Sequence, residues 1–313
     1  MNGEQVSPLW NEIADSVGNA STRIDAFREP KGNAFRLAHW SPNEPTFRWF
    51  KSYLQVLAGA MSAPEYELYR RLGNTRLGNP LEVEVQVGSV GKRLTVNLDY
   101  VLAVEETCFL DLHVPIRPRS IVEIGAGFGR TAHTLLTNFG GIEHYYIIDL
   151  PQTLDLSREY LSRVLDAKSF ERVVFIDCTT ATEVQADRVD LLIQVDGFQE
   201  MTDDVISAYY RDQVPKCDFV YLCQPVGKYE PVTAGIEDLN AKQYAATQQL
   251  GRTKILVDPW MESSLEPARV THVKGYLPHG WSELVSQPSR ARPYYLHTLY
   301  QHGPAGTKHL TTT

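Results

Sequence analysis

The residues best suited to chemistry lie between Glu123 and Asp149. Gly125, Gly127 and Gly129 alternate with Ala126 and Phe128, directly after a short apolar run of Ile121, Val122 and Ile124. Such a run reads as a buried parallel strand, and Ala132, Leu135, Leu136 and Phe139 then recur at helical spacing. Strand, glycine turn and helix form a nucleotide-binding βα unit, whose glycines let a ligand approach the backbone. A second strand, from His144, ends at Asp149, twenty residues after Gly129. A carboxylate there can accept hydrogen bonds from both hydroxyls of a ribose. Two details narrow the ligand. A dinucleotide fingerprint needs glycine where Arg130 stands, and Glu123 sits two residues before the first glycine. That acid suits a sulfonium amino acid with a free ammonium far better than a pyrophosphate.

Glu123-x-Gly125-x-Gly127-x-Gly129 followed by Asp149 resembles motifs I and II of the class I S-adenosylmethionine (SAM) methyltransferases. The resemblance implies SAM as cofactor, S-adenosylhomocysteine as product, and a Rossmann-like seven-stranded α/β sheet. The residues expected along the cofactor are Glu123, Gly125, Gly127, Gly129, Arg130, Asp149, Leu150, Asp177, Cys178 and Gln194. In this superfamily the third strand end, here Asp177 and Cys178, usually meets the adenine amine. An acid at a strand end is equally often a helix cap.

Composition bounds the remaining possibilities. The 313 residues are 43% hydrophobic and 22% charged, enough for a sizeable core. The net charge of −8 disfavours a nucleic-acid partner, since phosphate binding wants a basic face. Cys108, Cys178, Cys217 and Cys223 show no C-x-x-C pair or zinc spacing, so reduced thiols and no metal are expected. No signal peptide and no bilayer-length apolar run is present, so a soluble, cytoplasmic chain with no membrane partner is expected.

The elements that must position the glycine loop follow from pattern. Residues 1–45 mix short helical patterns with prolines. From Thr46 to about Leu72 helical spacing recurs, with Pro64 breaking the run. Helices of this kind in small-molecule methyltransferases cover the substrate or form a homodimer contact; simple packing on the sheet is the other reading. Leu81 to Leu98 alternates as a β-hairpin around Gly88 to Gly91, and Asp99 to Leu112 reads as a helix. Beyond Asp149 the pattern predicts a helix from Pro151 to near Ala167 and strands at 173–177, 189–193 and 218–223. It also predicts helices at 203–213 and 235–250, a strand at 254–257 and an antiparallel last strand at 294–300. An N-terminal extension (1–112), a catalytic domain (113–303) and a disordered tail (304–313) result.

Leu77-Gly-Asn-Pro80, the hairpin, Ile147-Ile-Asp-Leu-Pro151 and Phe198-Gln-Glu-Met201 are similar to the sugar O-methyltransferases of antibiotic and polysaccharide clusters, over about residues 70–230. That family usually reads Asn-Ser-His-Ser-Phe-x-Glu-Met after the fourth strand, and here Asp196 stands where it carries histidine. A sugar hydroxyl needs a base as it attacks, whereas an amine need only be neutral. The expectation is a sugar-type acceptor, preferably an aminoglycoside, positioned by Asp196 and Glu200 and deprotonated there. Asp196 also reads as a helix-capping acid, and Glu200 as a structural hydrogen-bonder in the turn. His279, in Tyr276-Leu-Pro-His-Gly-Trp281, is the alternative base, although a lone loop histidine is often structural. An aromatic or polyketide acceptor is the alternative substrate class.

Overall fold

The structure, a computed structural model, describes residues 24–29, 45–180, 184–229 and 248–303. The helical run expected at 46–72, broken at Pro64, forms two helices, α1 (Pro45–Gly59) and α2 (Ala63–Arg71). Pro64 sits in the first turn of α2, where a missing N–H costs nothing. Ser62 caps that turn: its hydroxyl accepts from the Glu65 N–H at 3.4 Å, and Glu65 Oε2 accepts from the Ser62 N–H at 2.8 Å. The hairpin follows as β1 (Glu82–Val87) and β2 (Lys92–Asn97), with Val83 opposite Val96 and Val85 opposite Leu94 in a separate sheet. Asn97 caps α3 (Leu98–His113), a helix buried along most of its length, acids included.

The main sheet takes β3 (Ser120–Ile124), β4 (His144–Asp149), β5 (Val173–Asp177), β6 (Val189–Val195), β7 (Cys217–Pro225), β8 (Trp281–Pro288) and β9 (Tyr295–His302). Their spatial order is β5-β4-β3-β6-β7-β9-β8, with β9 antiparallel to both neighbours. This is the expected seven-stranded, Rossmann-like arrangement. The strands β3, β4 and β5 are added toward one edge and β6 and β7 toward the other. The order of addition thus reverses between the parallel strands β3 and β6, the switch point at which open α/β sheets leave a crevice.

Between the strands run α4 (Arg130–Asn138), α5 (Pro151–Val164), the short α6 (Ala167–Phe170), α7 (Asp203–Asp212) and α8 (Glu262–Tyr276). One sheet face, through Ile121, Ile147, Ile193 and Tyr221, shares a core with α3, α4, α5 and the hairpin. The other face, through Val122, Ile124, Leu192 and Leu222, packs on α7 and α8. Among the described residues no helix is long and apolar enough to cross a membrane.

Two expectations need correction, and two elements lie where the pattern predicts none. Residues 254–257 form no sheet strand; they contribute one bridge, Leu256 with Lys228. The sixth strand is β8, which lies at the sheet edge, carries mostly exposed residues and so lacks the apolar alternation that marks a half-buried strand. Helix α8 carries Pro267 in its interior, a residue that weakens a helical pattern. The helix from Pro151 stops at Val164, and Asp166 starts α6 by accepting from the Ser169 N–H at 2.8 Å. The helix expected at 235–250 falls mostly outside the described residues, as do residues 1–23, 30–44 and the tail.

Residues 24–29 are held against the fold by Arg28. Its guanidinium donates to Asp99 Oδ2 of α3 at 2.7 Å and to the Thr75 carbonyl at 3.0 Å, with side-chain exposures of 0% and 2% for the Arg28–Asp99 pair. Removing one member of such a pair leaves a buried, uncompensated charge. Arg28→Met is expected to lower unfolding free energy by about 3–5 kcal/mol. Urea denaturation checks it, and a loss within experimental error would show that the segment adds nothing to the fold.

Candidate active site

Register places the functional strand ends in one row. Asp149 pairs with Asp177, Ile148 with Ile124, Ile124 with Gln194, Val195 with Cys223, and Cys223 with His297. The glycine loop, Asp149 and Asp196 therefore leave the sheet side by side, at the switch point.

The loop begins at Gly125, φ +73°, and turns through Gly127 at +58° and Gly129 at +94°, a region that side chains with a Cβ rarely enter. A Cβ on Gly125 or Gly127 would meet nothing within 4 Å, so both backbones face open space. At Gly129 it would stand 2.9 Å from Leu161 of α5, so this glycine serves helix packing. Asp149 lies directly beside the open segment. Its Oδ2 accepts from the Gly127 N–H at 3.0 Å and its Oδ1 from the Leu150 N–H at 2.7 Å. Burial pushes the Asp149 carboxyl up to about 7, against the pull of these amides.

Not every expected residue faces that space. Glu123 is buried beneath the loop, where Tyr145 donates its hydroxyl to Oε2 at 2.7 Å and burial pushes the carboxyl up to about 7. Arg130 turns inward and binds Glu106 of α3 at 2.9 Å. Asp177 caps the turn after β5, its Oδ1 accepting from the Thr179 N–H and hydroxyl at 2.8 and 2.7 Å. The Cys178 N–H donates to the Asp149 carbonyl at 2.9 Å, and burial pushes its thiol up to about 12. Gln194 is fully buried with neither amide atom hydrogen-bonded, and a Cβ on Gly197 would stand 2.3 Å from its Nε2.

Asp196 follows β6 with φ +62°, one of three described non-glycine residues in the left-handed region. Its Oδ1 accepts from the Tyr295 hydroxyl at 2.7 Å and its Oδ2 from Arg292 Nη1 at 3.2 Å. Burial raises its carboxyl, opposed by Arg292 and Tyr295. Glu200 closes the short turn Phe198–Glu200 and acts electrostatically on Lys228, as Asp196 does. His279 is not brought to this cluster. It precedes β8, whose Ser282 aligns through Gln301 with Phe219 at the start of β7, so it occupies the opposite, amino-terminal edge of the sheet.

Pattern reading missed Arg292, Tyr295 and Lys228. The turn Ser289-Arg-Ala-Arg-Pro-Tyr-Tyr295 packs two arginines and two tyrosines before the last strand, a signal that only the β8–β9 pairing aims at Asp196. The turn is braced by the N-terminal helices: Tyr53 of α1 donates to the Arg290 carbonyl at 2.7 Å, Glu65 of α2 pairs with Arg290, and Glu105 of α3 accepts from Ser289 at 3.0 Å.

No family model and no curated protein sequence matches the chain. Solved structures do resemble it at low identity. The methyltransferase domain of bacterial CtHen1-C is 11% identical, with a TM-score of 0.45, over 65% of this chain and 97% of that one. The pyocyanin biosynthetic protein PhzM is 13% identical, with a TM-score of 0.44, over 66% of this chain and 57% of its own. The glycopeptide N-methyltransferase MtfA, solved with SAM, is 13% identical, with a TM-score of 0.41, over 64% of this chain and 87% of its own. At these identities the likeness is one of architecture, and what each of those proteins methylates stays with it.

The loop generates two predictions. Gly127→Val forces a branched side chain into the open space and the left-handed region, so on the SAM reading of the glycine motif it should abolish SAM binding in a folded protein. Calorimetry with circular dichroism as the folding control checks this, and normal binding would place the cofactor elsewhere. On the same reading Asp149 must be ionised to accept from ribose hydroxyls, so SAM affinity should rise from pH 6 to pH 8, through the raised value of about 7. For folding the sign is opposite. The folded carboxyl holds its proton more tightly than the unfolded one, so ligand-free stability should fall as pH rises from about 4 to about 7. Glu123 titrates in the same window, and Asp149→Asn isolates its neighbour's share. An affinity equally pH-dependent in wild type and Asp149→Asn would remove the ribose assignment.

Proposed function

We propose that the chain is a SAM-dependent methyltransferase acting on a hydroxyl or amine of a sugar-type small molecule. The observation that carries the cofactor half is the pair Gly125 and Gly127, both left-handed with open space before them, beside the buried acid Asp149. Those residues fit SAM. Asp149 would hold the ribose, and the glycine backbones would admit the methionine part. When bound, SAM supplies an electrophilic methyl, and the electrons of the broken carbon–sulfur bond stay on sulfur.

The acceptor half rests on the residues beside the loop, around the end of β6. Asp196 and Glu200 there stand against Arg292 and Lys228, so their formal charges balance, and Tyr229, Tyr294 and Tyr295 surround them. A wall dense in hydrogen-bonding groups and balanced in charge suits a polyhydroxylated acceptor better than a flat apolar one. It also tempers the attraction of Asp196 for a polycation, since Arg292 already neutralises that carboxylate. An aminoglycoside stays within this class through its hydroxyls. Asp196 acts as a positioning residue, orienting acceptor and Arg292 together.

A panel of aminoglycosides and neutral sugars, incubated with SAM and read by mass spectrometry for the gain of one methyl, tests the proposal. Asp196→Asn removes the charge and keeps the shape. SAM affinity should be nearly unchanged, while kcat/KM for the acceptor falls by about 10²-fold, near 2.7 kcal/mol of transition-state stabilisation. Wild-type kinetics in that variant would detach Asp196 from the acceptor. Methylation of planar phenols alone would replace the sugar-type reading with the aromatic one.

A further inference from the structure

We propose that Lys228 is the base that removes the proton from the attacking hydroxyl of the acceptor. The inference rests on the methyltransferase reading above and sharpens it, because a neutral amine attacks without a base and a sugar hydroxyl does not.

Lys228 lies three residues beyond β7, on the strand next to β6, whose end carries Asp196. Both polar groups of its backbone are held by one segment: its N–H donates to the Ile255 carbonyl at 2.7 Å, and its carbonyl accepts from the Val257 N–H at 2.6 Å. Gly227 permits that approach, since a Cβ there would stand 2.5 Å from the Ile255 oxygen. The clamp directs the side chain inward, where it is 7% exposed and Nζ donates to the Gln199 carbonyl at 2.9 Å. That bond needs one N–H, which both ammonium and neutral amine provide, so either form keeps the geometry.

The surrounding charges suit an amine that changes state. Burial disfavours the ammonium, as does Lys254 from the 254–257 segment. Glu200 in the Phe198–Glu200 turn and Asp196 at the end of β6 favour it, and the outcome is a lysine lowered to about 8. Asp196 gives less support than a bare carboxylate because Arg292 and Tyr295 already occupy its oxygens. A lysine in this range is matched to a general base near neutral pH. In the step, the acceptor oxygen gains the methyl in place of its proton. That proton moves to neutral Nζ, and the resulting ammonium loses it to solvent before the next turnover. Asp196 and Glu200 then position the acceptor and no longer need to serve as the base.

Competitive acetylation of the full-length chain by acetic anhydride, followed peptide by peptide by mass spectrometry from pH 6 to pH 11, reads the state of Lys228 without any turnover. The expected midpoint is near 8; a midpoint near the ordinary value of about 10.4, or no labelling at any pH, would overturn the proposal. In turnover on a panel sugar that the native enzyme methylates, Lys228→Arg keeps a cation and a donor but cannot take a proton. It should lose about 10²-fold or more in kcat with SAM affinity unchanged by calorimetry. Ethylamine should partly restore Lys228→Ala, increasingly as pH rises. A Lys228→Arg enzyme with native kcat would also overturn it. If native enzyme methylates no sugar while Lys228 labels near 8, the acceptor class fails and the reactive amine stands.

Discussion

Three carboxylates on one buried helix hold this site together. Asp99, Glu105 and Glu106 of α3 are between 1% and 8% exposed, and an isolated carboxylate there would be strongly unfavourable. Each is therefore committed to a partner on a different part of the chain. Asp99 holds Arg28 and so residues 24–29; Glu106 holds Arg130 at the start of α4. Glu105 holds the β8–β9 turn through Ser289 and the Arg290 N–H. Burial alone would raise Glu105, but the His297 imidazole 3.6 Å away and hydrogen bonds from the Arg290 N–H and the Ser289 hydroxyl outweigh it and keep the carboxyl below its ordinary value. One helix thereby fixes a segment beside the glycine loop, the helix that follows that loop, and the turn that carries Arg292.

The consequence is visible around Phe128, the side chain between Gly127 and Gly129. Phe27 meets its ring edge-on at 5.5 Å, Tyr160 does so at 5.0 Å, and the Arg28 guanidinium lies 5.0 Å from its centre. Phe128 is packed on three sides while its glycine neighbours stay open. A loop whose one side chain is anchored can keep an unusual backbone path without collapsing into the space it leaves for a ligand.

Around the end of β6 the same economy of fixed charges applies. Asp196 keeps a left-handed backbone that a non-glycine residue adopts only where the surroundings impose it. Arg292 and Tyr295 impose it, and their own turn is fastened by Tyr53, Glu65 and Glu105. The N-terminal helices thus serve the site through a turn more than two hundred residues away in sequence, since Tyr53 and Arg290 stand 237 apart.

The sequence by itself determined the local chemistry: the glycine loop, the acid ending β4, the central strands and the hairpin. Each follows from nearest-neighbour physics, namely apolar periodicity, positive φ at glycine and the position of an acid at a strand end. It also placed Asp196 at the carboxyl end of the fourth strand, β6. Tertiary structure decided everything that depends on strand order and burial. The Arg292–Asp196 pair exists because β9 pairs with β7, and Glu123 lies beneath the loop with Tyr145 because β3 and β4 are neighbours. His279 was plausible as a base by residue type, yet β8 runs parallel to β7 and carries it to the far edge. Lys228 gave no local signal, because its inward direction comes from clamping by residues 255–257, a contact between segments that periodicity does not encode.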